Sequence, residues 1–168
     1  MMRVLADASS LIALAQCGEL DVLRALVADI HVTSLVFAEA AHPSFPEHEA
    51  LLAARDAGWL KLIPHQGKPE KLGRYGVDIG EASLMLAADP NDPLILDDRN
   101  ARRLAEARGL QRIGLLGLLV AGAEEGIIPP ERAEEVIRKL AGGSFRMSVD
   151  LYQWAMRRIH DAKNLEKA

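Results

Sequence analysis

The sequence predicts an α/β fold built around a largely parallel sheet and ending in a helical tail. Three observations carry this. Short apolar runs alternate with segments whose apolar residues recur at helical spacing, the signature of repeated strand–helix units. At 168 residues and 49% hydrophobic content, the chain buries one substantial core and is too short for two independent ones. Breakers such as Gly18, the turn-prone HPSFP at 42–46 and the pair Pro129–Pro130 separate the periodic segments.

MRVLA (2–6) reads as the first strand. From Ser9 to Asp29 the helical period is broken at Gly18, which predicts two helices. IHVTS (30–34) is a second strand, LVFAEAAH (35–42) a helix that stops at the HPSFP turn, and EHEALLAARDAG (47–58) the next helix. WLKLIP (59–64) alternates and predicts a third strand, while HQGKPEKLGRYGVDIG (65–80), rich in glycine and charge, predicts a mobile loop. EASLMLAAD (81–89) is a helix, PLILD (93–97) a fourth strand, and DRNARRLAEARG (98–109) a helix ended by Gly109. LQRIG (110–114) adds a fifth strand before the helix LLGLLVAGAEEG (115–126), and ERAEEVIRKLAGG with SVDLYQWAMRRIHDAK forms the tail.

A single cysteine, Cys17, excludes a disulfide framework or a multi-cysteine metal site within the chain, and reads as a small core residue. MMRVLADASS has one arginine and an apolar stretch broken by Asp7, so it lacks the apolar core of a secretory signal. The longest apolar run, IGLLGLLVAGA (113–123), is too short to span a bilayer. A cytoplasmic protein with no membrane partner is expected. The net charge of -4 argues against a generic polyanion binder, but the charge is unevenly spread. Residues 1–98 hold 7 basic and 15 acidic residues, whereas Arg99 to Arg112 hold 5 and 1, and Arg132 to the end 8 and 5. That asymmetry permits a nucleic-acid partner and is equally met by solvated helix faces.

Two adjacent aspartates, Asp97 and Asp98, close the apolar run PLIL. In an open parallel sheet, ligands gather beyond the carboxyl ends of the strands, near a change in strand order. Asp7 follows the first predicted strand and Asp97–Asp98 the fourth; Glu39 lies one turn into the helix after the second, and Glu81 opens the helix ahead of the fourth. Carboxylates brought together this way raise one another's pKa values unless a cation compensates, and Mg²⁺ or Mn²⁺ suits such oxygen donors. Each acid also has a structural explanation. Asp7 and Asp98 stand at N-cap positions, each worth about 1 kcal/mol; Asp78 and Glu81 have capping-box spacing; Glu39 reads as a solvent-facing residue. One helix start needs one N-cap, so capping leaves one of the Asp97–Asp98 pair over.

These segments resemble a known family. DAS at 7–9, the acid in VFAEA, the GEASLMLA helix and LILDDRNARRLAEARGL, in that order, look like a PIN domain. LLGLLVAGAEEGIIPP and the tail GGSFRMSVDLYQWAMRRI are similar to a bacterial and archaeal branch related to VapC-type toxins, and the likeness covers nearly the whole chain. It implies a three-layer α/β/α sandwich with a central, mainly parallel sheet, residues 1–128 forming a metal-dependent nuclease domain and 129–168 a helical extension packed on it. It also implies bound Mg²⁺ or Mn²⁺ and an endoribonuclease acting on single-stranded RNA, the toxin of a toxin–antitoxin pair with a cognate antitoxin as partner. By the same resemblance Asp7 matches the first catalytic acid, with Ser9 as its supporting hydroxyl, Glu39 the second, Glu81 the third and the Asp97–Asp98 pair the fourth. Asp7, Glu81, Asp97 and Asp98 are then the metal ligands. The match at the pair is open by one residue, because relatives often carry Thr or Ser shortly before that acid where this chain has Leu96 and Asp97. Ser10 replaces a proline common in the branch, with no consequence expected for metal. Arg99 and Arg102 either contact RNA phosphates or share an exposed helix face with Glu106.

Other chemistries find less support. His31, His42, His48, His65 and His160 form no zinc spacing. No glycine-rich phosphate loop follows the first strand, and LQRIG lacks the lysine of a phosphoacceptor receiver domain. Lys68, Lys71, Arg74 and Tyr75 read as a solvated loop. Val149, Tyr152, Met156 and Ile159 make a helical stripe that packs the tail or forms the seam of an expected homodimer. The alternative to an enzyme is a non-catalytic interaction module of the same fold, its acids serving as caps.

Overall fold

The computed structural model describes residues 3–166. The predicted start of the first strand at Met2 and the outer ends of the two predicted domain ranges lie outside the described residues. Five strands, β1 (Val4–Ala6), β2 (Ile30–Thr33), β3 (Leu60–Ile63), β4 (Leu94–Ile95) and β5 (Arg112–Ile113), form one sheet in the order β3-β2-β1-β4-β5. Every neighbouring pair is parallel. Parallel neighbours require crossovers, and helices supply them. Helices α1 (Ala8–Gln16) and α2 (Asp21–Leu26) lead from β1 to β2, and α3 (Ser34–Ala40) and α4 (His48–Asp56) from β2 to β3. Helix α5 (Ile79–Ala87) leads to β4 and α6 (Arg99–Ala107) to β5; α7 (Leu115–Glu124), α8 (Pro130–Ala141) and α9 (Val149–Glu166) then pack on one another. The expected α/β/α sandwich is formed, around a sheet that is wholly parallel.

The central strand shows why. Val4, Leu5 and Ala6 are all buried, as a strand covered on both faces demands. Behind it, α1 buries Ala8, Leu11, Ala13 and Leu14, and it ends where Gly18 adopts φ +73°, a conformation that side chains with a Cβ resist. The C-terminal helices are tied back by charge: buried Glu19, after that turn, pairs with Arg132 and Lys139 of α8. Because β2 and β3 extend the sheet on one side of β1 and β4 and β5 on the other, the order reverses between β1 and β4.

Two expectations need correction. The segment 65–80 is not a plain loop: Pro69–Tyr75 forms a 3-10 helix against α5, burying Pro69, Leu72 and, beyond it, Val77. Its charged and glycine-rich composition hid those spaced apolar contacts. The tail stripe begins one turn later than read, since Val149 is 71% exposed while Ala155, Ile159 and Ala162 are buried.

Candidate active site

At the reversal, β1 and β4 lie in register with Ala6 opposite Ile95, so the residues just beyond each strand share one crevice. Asp7 is the N-cap of α1. Its Oδ1 accepts the Ser10 amide at 3.0 Å, and its Oδ2 accepts the Ser9 hydroxyl at 3.0 Å and the Asp97 amide at 3.4 Å. The side chain is almost sealed, at 2% exposure, and burial holds its carboxyl above the usual range against the pull of the Ser10 and Ser9 hydrogen bonds.

The adjacent aspartates serve two different helices. Asp98 caps α6, accepting the amides of Asn100 and Ala101 at 2.8 and 3.0 Å. Asp97 is not left over: it reaches the start of α7, where the Leu115 amide lies 3.2 and 3.3 Å from its two oxygens, and it accepts the Ser10 hydroxyl at 3.1 Å. The N-cap of α7 is Gly114, which has no side chain to do this. A Cβ at 114 would stand 2.9 Å from Arg102 Nη1 and 3.0 Å from Asp97 Oδ1, so glycine is what admits both groups. The Asp97 carboxyl is pushed up to about 6, first by burial and then by Asp7, while Leu115, Ser10 and Arg102 oppose the rise.

Opposite them, Asp78 and Glu81 complete the capping box: Asp78 accepts the Glu81 amide at 2.7 Å and Glu81 accepts the Asp78 amide at 3.0 Å. Burial, followed by repulsion from Asp78, Asp98 and Asp7, pushes Glu81 up to about 7 against that amide bond. Glu39 reaches across Gly80, where a Cβ would lie 2.9 Å from its Oε2. Its carboxyl is raised by partial burial first, then by Asp78 and Asp7.

Two adjoining cavities result. The smaller, about 120 Å³, is lined by Asp7, Ala8, Ser9, Ile12, Glu39, Asp78 and Glu81. The larger, about 470 Å³, shares Ser9, Ile12 and Glu81 with it and adds Asp97, Asp98, Arg99, Ser144, Phe145 and Arg146. Arg102 turns to Asp97 instead of joining either lining. Sequence reasoning missed Ser10 as a link between Asp7 and Asp97, Asp78 as a wall of the smaller cavity, and Ser144, Phe145 and Arg146 altogether. The start of α7 left one usable clue, a glycine ahead of an apolar helix with no capping side chain of its own.

A family model described as a PIN domain matches residues 3–161. The chain belongs to the PIN domain family. Comparison with curated proteins and with solved structures gave no match. The PIN fold is commonly a nuclease fold, and its members typically use divalent metals.

The donors of this PIN crevice decide whether such an ion suits it. Among the described residues no three His, Cys, Asp or Glu side chains stand together as a ready-made cage, and five of the acids instead accept amides at helix starts. The chemistry of the set fits a hard cation. All the titratable groups of the smaller cavity are carboxylates, and Asp7, Glu39, Glu81 and Asp97 are all held above their usual range. Mg²⁺ commonly takes one or two carboxylates and keeps water for its other positions, so a full cage is not required. The starts of α1, α5, α6 and α7 meet at the same crevice, and their partial positive charge favours carboxylate and phosphate alike.

Proposed function

We propose that this PIN domain protein is a Mg²⁺- or Mn²⁺-dependent endoribonuclease that hydrolyses phosphodiester bonds of single-stranded RNA. One observation carries the reading: Asp7, Glu39, Glu81 and Asp97, from four separate segments, stand around two adjoining cavities at the switch point, and their surroundings push each carboxyl upward. Capping alone gives no reason to gather like charges around the buried Asp7. Asp7, Glu81 and Asp97, with Asp98 at the rim, are the residues that would hold the ion. When bound, the ion supplies Lewis acidity toward the scissile phosphate and toward water.

The chain's own groups do the rest. Glu39, which lines the same cavity and is not among the residues that hold the ion, accepts a proton from the attacking water. Ser9 fixes Asp7, and Ser10 holds Asp7 and Asp97 together. Arg99 meets phosphates that flank the cut, and Arg102 moderates the charge of Asp97. The same reading makes the protein a toxin related to the VapC type, working as a homodimer in the cytoplasm and restrained by a cognate antitoxin.

A non-catalytic PIN-fold interaction module is the second reading, favoured by the capping hydrogen bonds that Asp7, Glu81 and Asp98 make. A mixed pool of single-stranded RNA separates the two. Wild type with Mn²⁺ is expected to cut it, and Asp7→Asn, which preserves the cap, is expected to be inert. Equal cutting by the variant sinks the role of Asp7, and an inert wild type that binds no Mn²⁺ leaves the module.

A further inference from the structure

We infer that the linker between α8 and α9 is a nucleotide-contacting wall of the cleft, in which Phe145 stacks on an unpaired base and Arg146 binds a phosphate of the same strand. This rests on the RNA reading above and names the contacts that hold the substrate beside the carboxylates.

The linker leaves α8 through Gly142 and Gly143 and enters α9 where Ser148 Oγ accepts the Leu151 amide at 3.1 Å. Between those ends burial alternates: Ser144 and Arg146 are exposed, while Phe145 and Met147 are half-buried against the core. The segment is also pinned from the side. The Ser144 hydroxyl donates to Gln16 Oε1, and Gln16 Nε2 donates to buried Glu47 at 3.1 Å. A strip held at these points presents a fixed edge, and that edge faces the acids. Phe145 and Arg146 line the same 470 Å³ cavity as Glu81, Asp97 and Asp98.

The two walls are chemically complementary. Carboxylates alone repel a polyanion, so a strand cut here needs cationic contacts close by. Arg99 and Arg146 provide them on the same cavity, and among the described residues neither guanidinium is engaged in a salt bridge. The volume falls within the roughly 300–1,000 Å³ of sites that enclose small ligands, whereas the 120 Å³ acidic cavity is below that range. An aromatic side chain beside free guanidiniums is the surface on which single strands dock, because only an unpaired base exposes its face for stacking.

The test is anisotropy of a fluorescein-labelled single-stranded RNA of about ten nucleotides, a length within the usual site sizes of single-strand binders, measured in EDTA so that nothing is cut. Phe145→Leu keeps the apolar packing and removes the ring, and is expected to bind about tenfold more weakly. Phe145→Trp is expected to bind at least as well as wild type. Arg146→Gln is expected to flatten the dependence of log K on log salt by about 0.7. Wild-type affinity and salt slope in both Phe145→Leu and Arg146→Gln overturn the linker's role while leaving the nuclease reading intact. If wild type itself binds no RNA strand, the RNA reading of the whole cleft falls, and the linker's role with it. Should Phe145→Leu fail to fold by circular dichroism, the tryptophan and Arg146→Gln variants decide: weaker binding by the former or an unchanged slope in the latter overturns the proposal.

Discussion

Asp97→Asn is predicted to make the metal-free protein more stable at pH 8 while weakening its hold on a divalent cation. The Asp97 carboxyl titrates at about 6 in the fold against 3.8 when unrestrained, because burial and Asp7 disfavour its charge. At about 1.4 kcal/mol per pH unit that difference corresponds to roughly 3 kcal/mol, and solvent reaching this partly exposed group reduces it to about 1–3 kcal/mol. The sign follows from the direction of the shift. The folded state binds the proton more tightly, so the stabilisation is complete below about pH 4 and lost as pH rises through about 6. Glu81, pushed up to about 7, adds a loss of the same sign slightly higher. Asparagine cannot ionise, yet with its carbonyl at the Oδ1 position it still accepts the Leu115 amide, and its NH2 at the Oδ2 position can donate to the Ser10 hydroxyl oxygen. Urea unfolding in EDTA should therefore place Asp97→Asn above wild type by about 1–3 kcal/mol at pH 8, with the gap narrowing toward pH 4. Saturating Mn²⁺ should stabilise wild type more than the variant. A variant equally destabilised at both pH values would show that the carboxylate is held by favourable bonds and is under no repulsion.

Gly122→Ala would press a Cβ on Leu26 Cδ2, the end of a half-buried side chain that can turn aside, and the helix-propensity gain of about 1 kcal/mol offsets that cost; stability within about 1 kcal/mol of wild type is expected, and a larger fall in Tm would mean that Leu26 cannot move. Glu19→Ala removes the buried carboxylate that holds Arg132 and Lys139, so a loss of about 2 kcal/mol is expected, with limited proteolysis opening α8 first. Thr33→Val deletes a cap on the Val36 amide at 3.2 Å and a buried 2.5 Å bond to Ser83, and chemical denaturation should register about 1–3 kcal/mol. Wild-type stability in that variant would mean that Ser83, which also donates to the Gly80 carbonyl at 2.7 Å, satisfies the pair alone.

What the sequence disclosed and what it hid divide along the range of the interaction. Asp7, Asp98 and the Asp78–Glu81 box were legible because a cap is defined by residues within one turn of it. β1 was legible because an uninterrupted apolar run marks a buried strand. Capping left one of the Asp97–Asp98 pair unplaced, since the partner of Asp97, the Leu115 amide, lies eighteen positions on and is brought near only by β5 and Gly114. Ser10 shows the same limit: its distance from Asp97 along the chain is closed only by the pairing of β1 with β4. Phe145 and Arg146 carried no periodic signal at all, standing between a glycine pair and a helix where a connector was expected. Even the 3-10 helix failed for a local reason, because Leu72 and Val77 were outnumbered by glycine and charge.

The decisive measurement is a calorimetric Mn²⁺ titration of wild type and Asp7→Asn, repeated in buffers of different ionisation heat at about pH 6.5, where Glu81 is still partly protonated. A metal site at the switch point predicts binding to wild type accompanied by proton release, and its loss in a variant whose fold and α1 cap are intact. Mn²⁺ binding that is the same in both proteins, or absent from wild type, would contradict it.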